Sequence, residues 1–401
     1  MTSRERVLAV LSRQAADRVP FDLGGTDCSS VHLLTYKKLR AALHLPARPA
    51  KCGCLSQLIA ALDPDVQAAF QVDAEVLAFG AVSTKIWKAP FGVEVIVPSR
   101  FNVEELPDGS SIVRNDSGKI YARRAADSMY MDPVEPPLAA ITSAKEMDAF
   151  PQLFERWDYP YVYDEPIEAL AARARQQYRA TDRAVVALWR LHYLQSGQLM
   201  RGYGEFFMDL LADKDLAHGL LARLHEAYKK RVTLFLDQFA DALDVVFLTD
   251  DLGTQEAAMI SPDTYREMIF PYISEIVGLI KARGKKVVMH SCGAVSDFIP
   301  FFIEMGIDAL NPVQVGAHGM NPRHLFKQYG KDMAFWGGGC DTQKVLNAPS
   351  SQLVKEDVQR RFAEFGPDAH WVFTQVHNIQ YDVPAENILA MHQAYRTCAG
   401  Q

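Results

Sequence analysis

The second half of the chain alternates short apolar runs with segments of helical periodicity. The run DVVFLTDD (244–251) predicts a buried strand, and Ser261-Pro262 then begins a helix that Pro271 is expected to kink. The same step repeats towards the C-terminus, with strands predicted at KKVVMH, DALNPVQV, DMAFWGGG and HWVFTQVH. Strands in strict alternation with helices indicate a parallel sheet.

The first half contributes three more predicted strands of this type. They lie at RVPFDLGG near residues 19–25, at VDAEVLAFG (72–80) and at RAVVALWRLHY (183–193). Three strands added to the five of the second half make eight, the number that closes a (β/α)8 barrel. An open doubly wound sheet is the alternative fold, but no G-x-G-x-x-G follows the first strand. We therefore predict a TIM barrel built as a single domain over residues 1–401.

Residues 84–132 interrupt the alternation of strands and helices. Apolar residues recur there with period two, and the pairs Asp108-Gly109 and Ser117-Gly118 are typical of tight turns between antiparallel strands. This region is predicted to be a β-hairpin insertion on the barrel.

Charge and composition exclude several classes of protein. With 401 residues and a net charge of −7, the chain is not expected to bind nucleic acid. It contains neither a signal peptide nor an apolar run long enough to span a membrane, so we expect a cytoplasmic protein. Its six cysteines are too sparse for a disulfide framework, and Cys52-Gly53-Cys54 is not the usual CxxC spacing of a metal knuckle. The oligomeric state is left open between a monomer and a homodimer.

The stretch VVMHSCGA (287–294) carries the first chemical signal. A buried strand ends there at His290, and Cys292 follows two residues later. Side chains at positions i and i+2 of an extended backbone lie on the same face, so the two residues can form half of a zinc site. The alternative is structural, with Cys292 as a small core residue and His290 as a hydrogen-bonded one.

Further candidate ligands lie at the ends of other predicted strands, where barrel enzymes carry their chemistry. They are Asp250, Asp251, Cys340, Asp341 and His377. We predict His377 as the third zinc ligand, with Cys340 as the alternative, although each residue could also serve a structural role. Aromatic side chains near the same strand ends could form an apolar substrate pocket or belong to the core, namely Trp189, Tyr193, Trp336 and Tyr381.

The chain resembles the uroporphyrinogen decarboxylase superfamily, and within it the cobalamin-associated methyltransferase branch. The resemblance extends over RERVLAVLSRQAADRVPFDLGG, LTDDLGTQEAAMISPDTYREMIFP, HSCGAVSDFIPFFIEMGIDALNPVQ, FWGGGCDTQKVL and VHNIQYDVPAENILAMHQAY. It implies a zinc site of the form His-x-Cys, matched by His290 and Cys292, with a third ligand after the last strand. That ligand is often cysteine in the family, whereas His377 occupies the position here. The arginine motif of the decarboxylase subgroup is matched only by Arg13 and Gln14.

These observations predict a zinc-dependent methyltransferase that moves a methyl group between a small substrate and a corrinoid. Nothing in the chain resembles a D-x-H-x-x-G cobalamin loop, so the corrinoid is expected on a partner protein. Asp251 is predicted to orient a ligand or to handle a proton. The aromatic strand ends favour an aryl methyl ether as substrate. A metal-free decarboxylase and a non-catalytic binding barrel are the alternatives, and the direction of methyl transfer is left open.

Overall fold

A sheet of seven parallel strands forms the centre of the protein. The computed structural model describes residues 1–77, 81–89, 91–114, 118–155 and 165–401. The order of the strands in the sheet follows their order in the chain, and each strand pairs in parallel with the next. The strands are β1 (Ala74–Val76), β2 (Ala184–Trp189), β3 (Val245–Thr249), β4 (Lys286–His290), β5 (Ala309–Asn311), β6 (Ala334–Trp336) and β7 (Trp371–Val372).

Residues 20–22 occupy the eighth position and close the ring. The N–H of Asp22 donates to the carbonyl of Phe373, just after β7, over 2.8 Å. On the other side, the N–H of Asp73 donates to the carbonyl of Phe21, also over 2.8 Å. The segment therefore lies between the last strand and β1, and the prediction of a TIM-barrel fold is confirmed. Of the predicted strand 72–80, residues 78–80 lie outside the described part of the chain.

Helices surround the sheet, and one of them closes its N-terminal end. The helix Ser3–Leu11 packs Val7 and Val10 against apolar side chains that point into the barrel, such as Phe247 and Trp336. The remaining helices are Leu33–Ala42, Pro64–Phe70, Pro151–Glu155, Ile167–Ala180, Leu194–Arg201, Tyr203–Ala212, Lys214–Phe239, Pro262–Met268, Phe270–Ala282, Ile299–Met305, Pro322–Tyr329, Ser351–Phe365 and Ala385–Cys398. Among the described helices, none is long and apolar enough to cross a membrane.

The predicted kinked helix after Ser261-Pro262 is two helices in the structure. The first ends at Met268 and the second begins at Phe270, with Ile269 between them. Pro271 lies in the first turn of the second helix, where its missing N–H costs no hydrogen bond. The proline therefore starts a helix instead of bending one.

The β insertion is larger than the predicted range 84–132. One four-stranded sheet contains the strands Ala50–Cys54, Ile59–Ala61, Thr84–Ala89 and Val93–Pro98, and a second contains Asn102–Glu105, Ser111–Arg114, Ile120–Arg124 and Asp132–Pro133. The expected turn at Asp108-Gly109 joins two antiparallel strands, and Gly109 has a φ of +82°. In the second expected turn, Ser117 lies outside the described residues. Two strands begin before residue 84, so Cys52 and Cys54 lie in the insertion.

Candidate metal centre

His290 and Cys292 meet at the C-terminal end of β4, as their spacing predicts. His290 is the last residue of the strand and is buried. The Sγ atom of Cys292 lies 3.5 Å from Nε2 of His290. The pair therefore presents a thiol and an imidazole nitrogen to one space at the mouth of the barrel.

Asn311 fixes the orientation of the His290 ring. Its amide nitrogen donates to the carbonyl of Trp336 over 2.9 Å, so its oxygen Oδ1 faces His290 Nδ1 at 2.6 Å. Nδ1 must then carry a proton and donate it, so that Nε2 is the ring nitrogen that faces the thiols and could bind a metal ion. The sequence analysis missed Asn311, although it ends the strand next to β4 at the level of His290.

The loop that carries Cys292 is held against the loop after β3. The carboxylate oxygen Oδ1 of Asp251 accepts the N–H of Cys292 over 2.8 Å. A Cβ atom on Gly293 would lie 2.3 Å from the carbonyl oxygen of Gly253, so only glycine permits this approach of the two backbones. Asp251 thus orients the Cys292 backbone, and its Oδ1 also lies 3.9 Å from Nε2 of His290.

The neighbouring Asp250 binds the start of a helix. Its carboxylate accepts the backbone N–H groups of Tyr193, Leu194 and Gln195 at 2.8 to 3.1 Å, at the start of the helix Leu194–Arg201. Burial raises the pKa of Asp250 to about 7 in spite of these hydrogen bonds. Asp250 therefore positions a helix, and Asp251 is the carboxylate that faces the cluster.

Cys28 joins the site from the first loop of the barrel, and the sequence analysis missed it as a ligand. Its Sγ atom lies 3.9 Å from Nε2 of His290 and 3.6 Å from Oδ1 of Asp27. The loop turns sharply at Gly25, whose N–H donates to Oδ1 of Asp22 over 2.7 Å. The position of this loop after a predicted strand could have indicated a ligand. Cys28 was not predicted as one because it lies three residues beyond the predicted end of that strand.

The donor atoms form two groups that share His290. In each group the nitrogen, sulfur or oxygen atoms all lie within 4.8 Å of one another. One group contains Cys28, His290 and His377, and the other contains Asp251, His290 and Cys292. The structure thus brings His377 to the site but places it beside Cys28.

Cys340, the alternative third ligand, is in neither group. It is fully buried beside the carboxylate of Asp357, and burial raises the pKa of its thiol. Val376 donates its N–H to the Cys340 carbonyl over 2.9 Å, which ties the triple-glycine loop to the segment after β7. Cys340 therefore packs behind the mouth of the barrel and away from His290.

The charges around the cluster favour a cation. Burial lowers the pKa of His290, yet Cys292 and Asp251 outweigh it and raise the pKa to about 9. The pKa of His377 is raised in the same way, against burial, by its hydrogen bond with Cys28. Burial would raise the pKa of Asp27, but Arg190 and the two histidines hold it below its usual value. The acidic side chains thus favour positive charge where the donor atoms meet.

The donor set fits a zinc ion. Zinc bonds of 2.0–2.3 Å in a tetrahedron put neighbouring ligand atoms roughly 3.3–3.8 Å apart. The separations of His290 Nε2 from Cys292 Sγ, Cys28 Sγ and Asp251 Oδ1 are 3.5, 3.9 and 3.9 Å. Imidazole nitrogen, thiolate sulfur and carboxylate oxygen are also the ligand types that zinc takes in proteins.

A cavity of about 830 Å³ opens beside the cluster. Asp27 and Arg190, which form an ion pair, belong to its wall, and much of the remainder is apolar, including Leu62, Leu77, Val97, Leu188 and Phe235. Trp189 also lines it, and within the described ranges its buried indole N–H has no hydrogen-bond partner.

The other three aromatic residues singled out in the sequence lie outside the wall of this cavity. Tyr193 and Trp336 are fully buried in the core, and Tyr381 packs its ring against His32. Of the four, Trp189 is therefore the one that could contact a substrate there.

Arg13 lies far from the mouth of the barrel. It follows the helix that closes the N-terminal end, and its charge helps to lower the pKa of His370, just before β7, where burial is the larger cause. Arg13 therefore cannot hold a substrate carboxylate at the candidate metal centre.

Comparisons with known proteins agree with this architecture. The family described as "Uroporphyrinogen decarboxylase (URO-D)" matches residues 151–398. A uroporphyrinogen decarboxylase of Legionella pneumophila (strain Lens) is 24% identical over 248 residues, which are 60% of this chain and 64% of that protein. A methyltransferase from Methanosarcina mazei superimposes with a TM-score of 0.63 and 15% identity, over 99% of both chains. That likeness establishes the fold over nearly the whole length.

Proposed function

Because the chain belongs to the uroporphyrinogen decarboxylase family, we propose that it is a zinc-dependent methyltransferase of that family. It moves a methyl group between a small methylated substrate and a corrinoid carried by a separate protein. The observation that carries the proposal is the cluster of His290, Cys292, Cys28, His377 and Asp251 at the mouth of the barrel. Decarboxylation of a porphyrinogen has no use for such a set of soft metal ligands.

Each residue of the cluster has a part in this reaction. His290 and Cys292 would hold the zinc ion, with His377 as the predicted third ligand. When bound, the ion would supply a Lewis acid for an ether oxygen, or a positive charge that keeps a substrate sulfur as thiolate. Asn311 holds the His290 ring through Nδ1, so that Nε2 faces the other donor atoms. Asp251 holds the Cys292 backbone and is the carboxylate placed to exchange a proton with the leaving group.

The cavity supports a bulky, largely apolar substrate. Its volume of about 830 Å³ falls in the range of pockets that enclose drug-sized molecules, and methanol or a methylamine would leave most of it empty. The Trp189 ring in the cavity wall can pack against an apolar part of the substrate. An aryl methyl ether combines an apolar ring with a methylated oxygen, so O-demethylation is the reaction we propose.

A metal-free decarboxylase is the second candidate, since the curated relative carries that name. Such an enzyme requires arginines at the mouth to bind the substrate carboxylates. Three arginines line the described part of the cavity wall: Arg190 is ion-paired with Asp27, Arg183 is ion-paired with Glu75, and Arg231 lies over the ring of Tyr228. The arginine of the partial sequence motif, Arg13, lies at the opposite end of the barrel. These placements favour the methyltransferase.

Two measurements on the purified protein test the proposal. Metal analysis after purification without chelator should find about one zinc ion per chain, as expected for a single site. Reduced corrinoid protein, or free cob(I)alamin, mixed with methoxylated aromatics should become methylated, which its absorption spectrum reports. The His290→Ala variant should bind zinc far more weakly and should not methylate the corrinoid. If ethers, methylamines and methylated thiols all fail while a porphyrinogen releases carbon dioxide, the protein is a decarboxylase.

A further inference from the structure

We propose that Cys28 is a ligand of the metal ion, so that two thiolates, from the first and the fourth strand–helix loops, hold it. This inference rests on the metal dependence of the proposed function. It differs from the predicted ligand set, in which Cys292 is the single thiolate and the third ligand follows the last strand. Cys28, near the N-terminus, would thus take the place of the cysteine that the family often carries after the last strand.

The position of Cys28 relative to His290 carries the inference. A metal ion bound to Nε2 of His290 lies within reach of both thiols, because Cys28 Sγ and Cys292 Sγ are 3.9 and 3.5 Å from that nitrogen. Both separations are close to the roughly 3.3–3.8 Å between ligands of a tetrahedral zinc ion. The two thiols belong to separate groups of donor atoms, and His290 is the member common to both.

The local structure of the first loop directs Cys28 to this place. Ser29 closes the turn, since its Oγ accepts the N–H of Thr26 over 3.1 Å and donates to the carbonyl of Thr26 over 3.2 Å. The loop also packs closely at Gly24, where a Cβ atom would lie 2.6 Å from the Leu62 side chain. His377, the other member of the group, has its donor atom within 4.8 Å of the Cys28 thiol. The thiol is thus held by several contacts in a defined position.

Other cysteines near the mouth are less suited to the ion. Cys54 lines the cavity, but its sulfur contacts Oγ of Ser56 at 3.3 Å, and it belongs to neither group of donor atoms. Cys340 is buried against Asp357. Cys28 and Cys292 are therefore the two thiols that share His290 as a neighbour.

Cys28 also lies where a substrate would arrive. Thr26, Asp27 and Ser30, which flank it in the sequence, line the large cavity. The turn Asp27–Ser29 therefore lies between that cavity and His290. A ligand on this turn places the ion next to the bound substrate.

Cobalt substitution tests the inference. Cobalt(II) occupies zinc sites, and each thiolate bound to it adds sulfur-to-metal absorption in the near ultraviolet. The wild-type chain should show the absorption of two thiolates, and Cys28→Ser and Cys292→Ser should each lose about half of it. His377→Ala and the matched control Cys398→Ser, on the C-terminal helix, should keep the full intensity per bound cobalt.

The outcomes separate this inference from the proposed function. Full absorption in folded Cys28→Ser shows that Cys28 is no ligand, whatever the methyl-transfer assay gives. Two-thiolate absorption without any methylated corrinoid supports the ligand and refutes the methyltransferase. A wild-type chain that binds no cobalt overturns both. If Cys28→Ser does not fold, alkylation of the wild-type protein decides: zinc should protect Cys28 as well as Cys292 from iodoacetamide, and an unprotected Cys28 contradicts the inference.

Discussion

The two ends of the barrel differ in how their carboxylates are paired with cations. At the N-terminal end, Asp73, Asp244 and Asp308 each lie one residue before a strand and accept a backbone N–H from a neighbouring segment. Each is also matched by cations: Asp73 by Arg6 and Arg18, Asp244 by Arg4, and Asp308 by Lys281 and Lys286.

The C-terminal end also gathers carboxylates, but far fewer cationic side chains lie beside them. Within the described ranges, Asp22, Asp27, Asp250 and Asp251 pair with one arginine, Arg190, which contacts Asp27. Two histidines and two thiols share the space. In these barrels the N-terminal end serves stability and the C-terminal end serves chemistry. The mouth therefore gathers carboxylates, thiols and imidazoles, the side chains that bind zinc in proteins.

We expect the largest loss of stability from a substitution at the N-terminal end, where each of these carboxylates is paired with cations. Asp73→Asn would leave Arg6 and Arg18 buried without their shared counter-ion, so the free energy of unfolding should fall by about 3–5 kcal/mol. Asp17→Asn is the matched control, because Asp17 also pairs with Arg6 but is 42% exposed, and it should cost less than about 1 kcal/mol. Urea unfolding followed by circular dichroism measures both. Similar midpoints for the two variants would refute the assignment of Asp73 to stability.

At the mouth, His290→Ala should weaken metal binding strongly without loss of stability. His290 is the one residue common to both donor groups. If four ligands share the typical 10–16 kcal/mol of zinc binding, each is worth about 3 kcal/mol, or roughly 150-fold in affinity. Competition with a fluorescent chelator measures the affinity, and the urea midpoint of the metal-free variant should match that of the metal-free wild type. A metal-free variant that unfolds as easily as Asp73→Asn would mean that the mouth is also built for stability.

The fold could be predicted because parallel strands leave a repeating signal in the sequence. Fully buried strands such as β3 are continuous apolar runs, and each helix between them begins and ends at recognisable residues. The insertion was harder, since the strand Ala50–Cys54 has the sequence AKCGC, with neither a regular alternation nor β-branched residues. Its place in a sheet depends on pairing with Ile59–Ala61 and Val93–Pro98, which no local pattern reveals.

The site was predictable where ligands follow strands directly and obscure where loops carry them. The i, i+2 pair of His290 and Cys292 follows from backbone geometry alone. Cys28 depends on the path of a turn held at Gly24 and Gly25, which is set by close contacts with Leu62 and Asp22. Asn311 depends on strand register, because its neighbour in the sheet is 21 residues away in the chain. Long-range packing therefore decided the parts that the sequence pattern did not reveal.

A smaller effect is expected from Asn311, which supports the cluster without belonging to it. Asn311→Ala would remove the acceptor for Nδ1 of His290 and free the ring to turn or to change tautomer, so metal affinity should fall about 10- to 100-fold. Asn311→Asp keeps an acceptor in the same place and should retain most of the affinity. The chelator competition used for His290→Ala distinguishes the variants. Equal affinities for Asn311→Ala and the wild type would show that the ring needs no such support.

The smallest change in metal affinity is expected for Asp251→Asn. An asparagine oxygen can still accept the N–H of Cys292, so the loss should amount to about one hydrogen bond, roughly 0.5–1.5 kcal/mol or 2- to 12-fold. Methyl transfer should slow by more than this, because the amide cannot exchange a proton with the leaving group, a role typically worth about 100-fold or more. Measuring turnover at saturating zinc separates the two effects. If turnover then equals that of the wild type, Asp251 orients Cys292 and exchanges no proton with the leaving group.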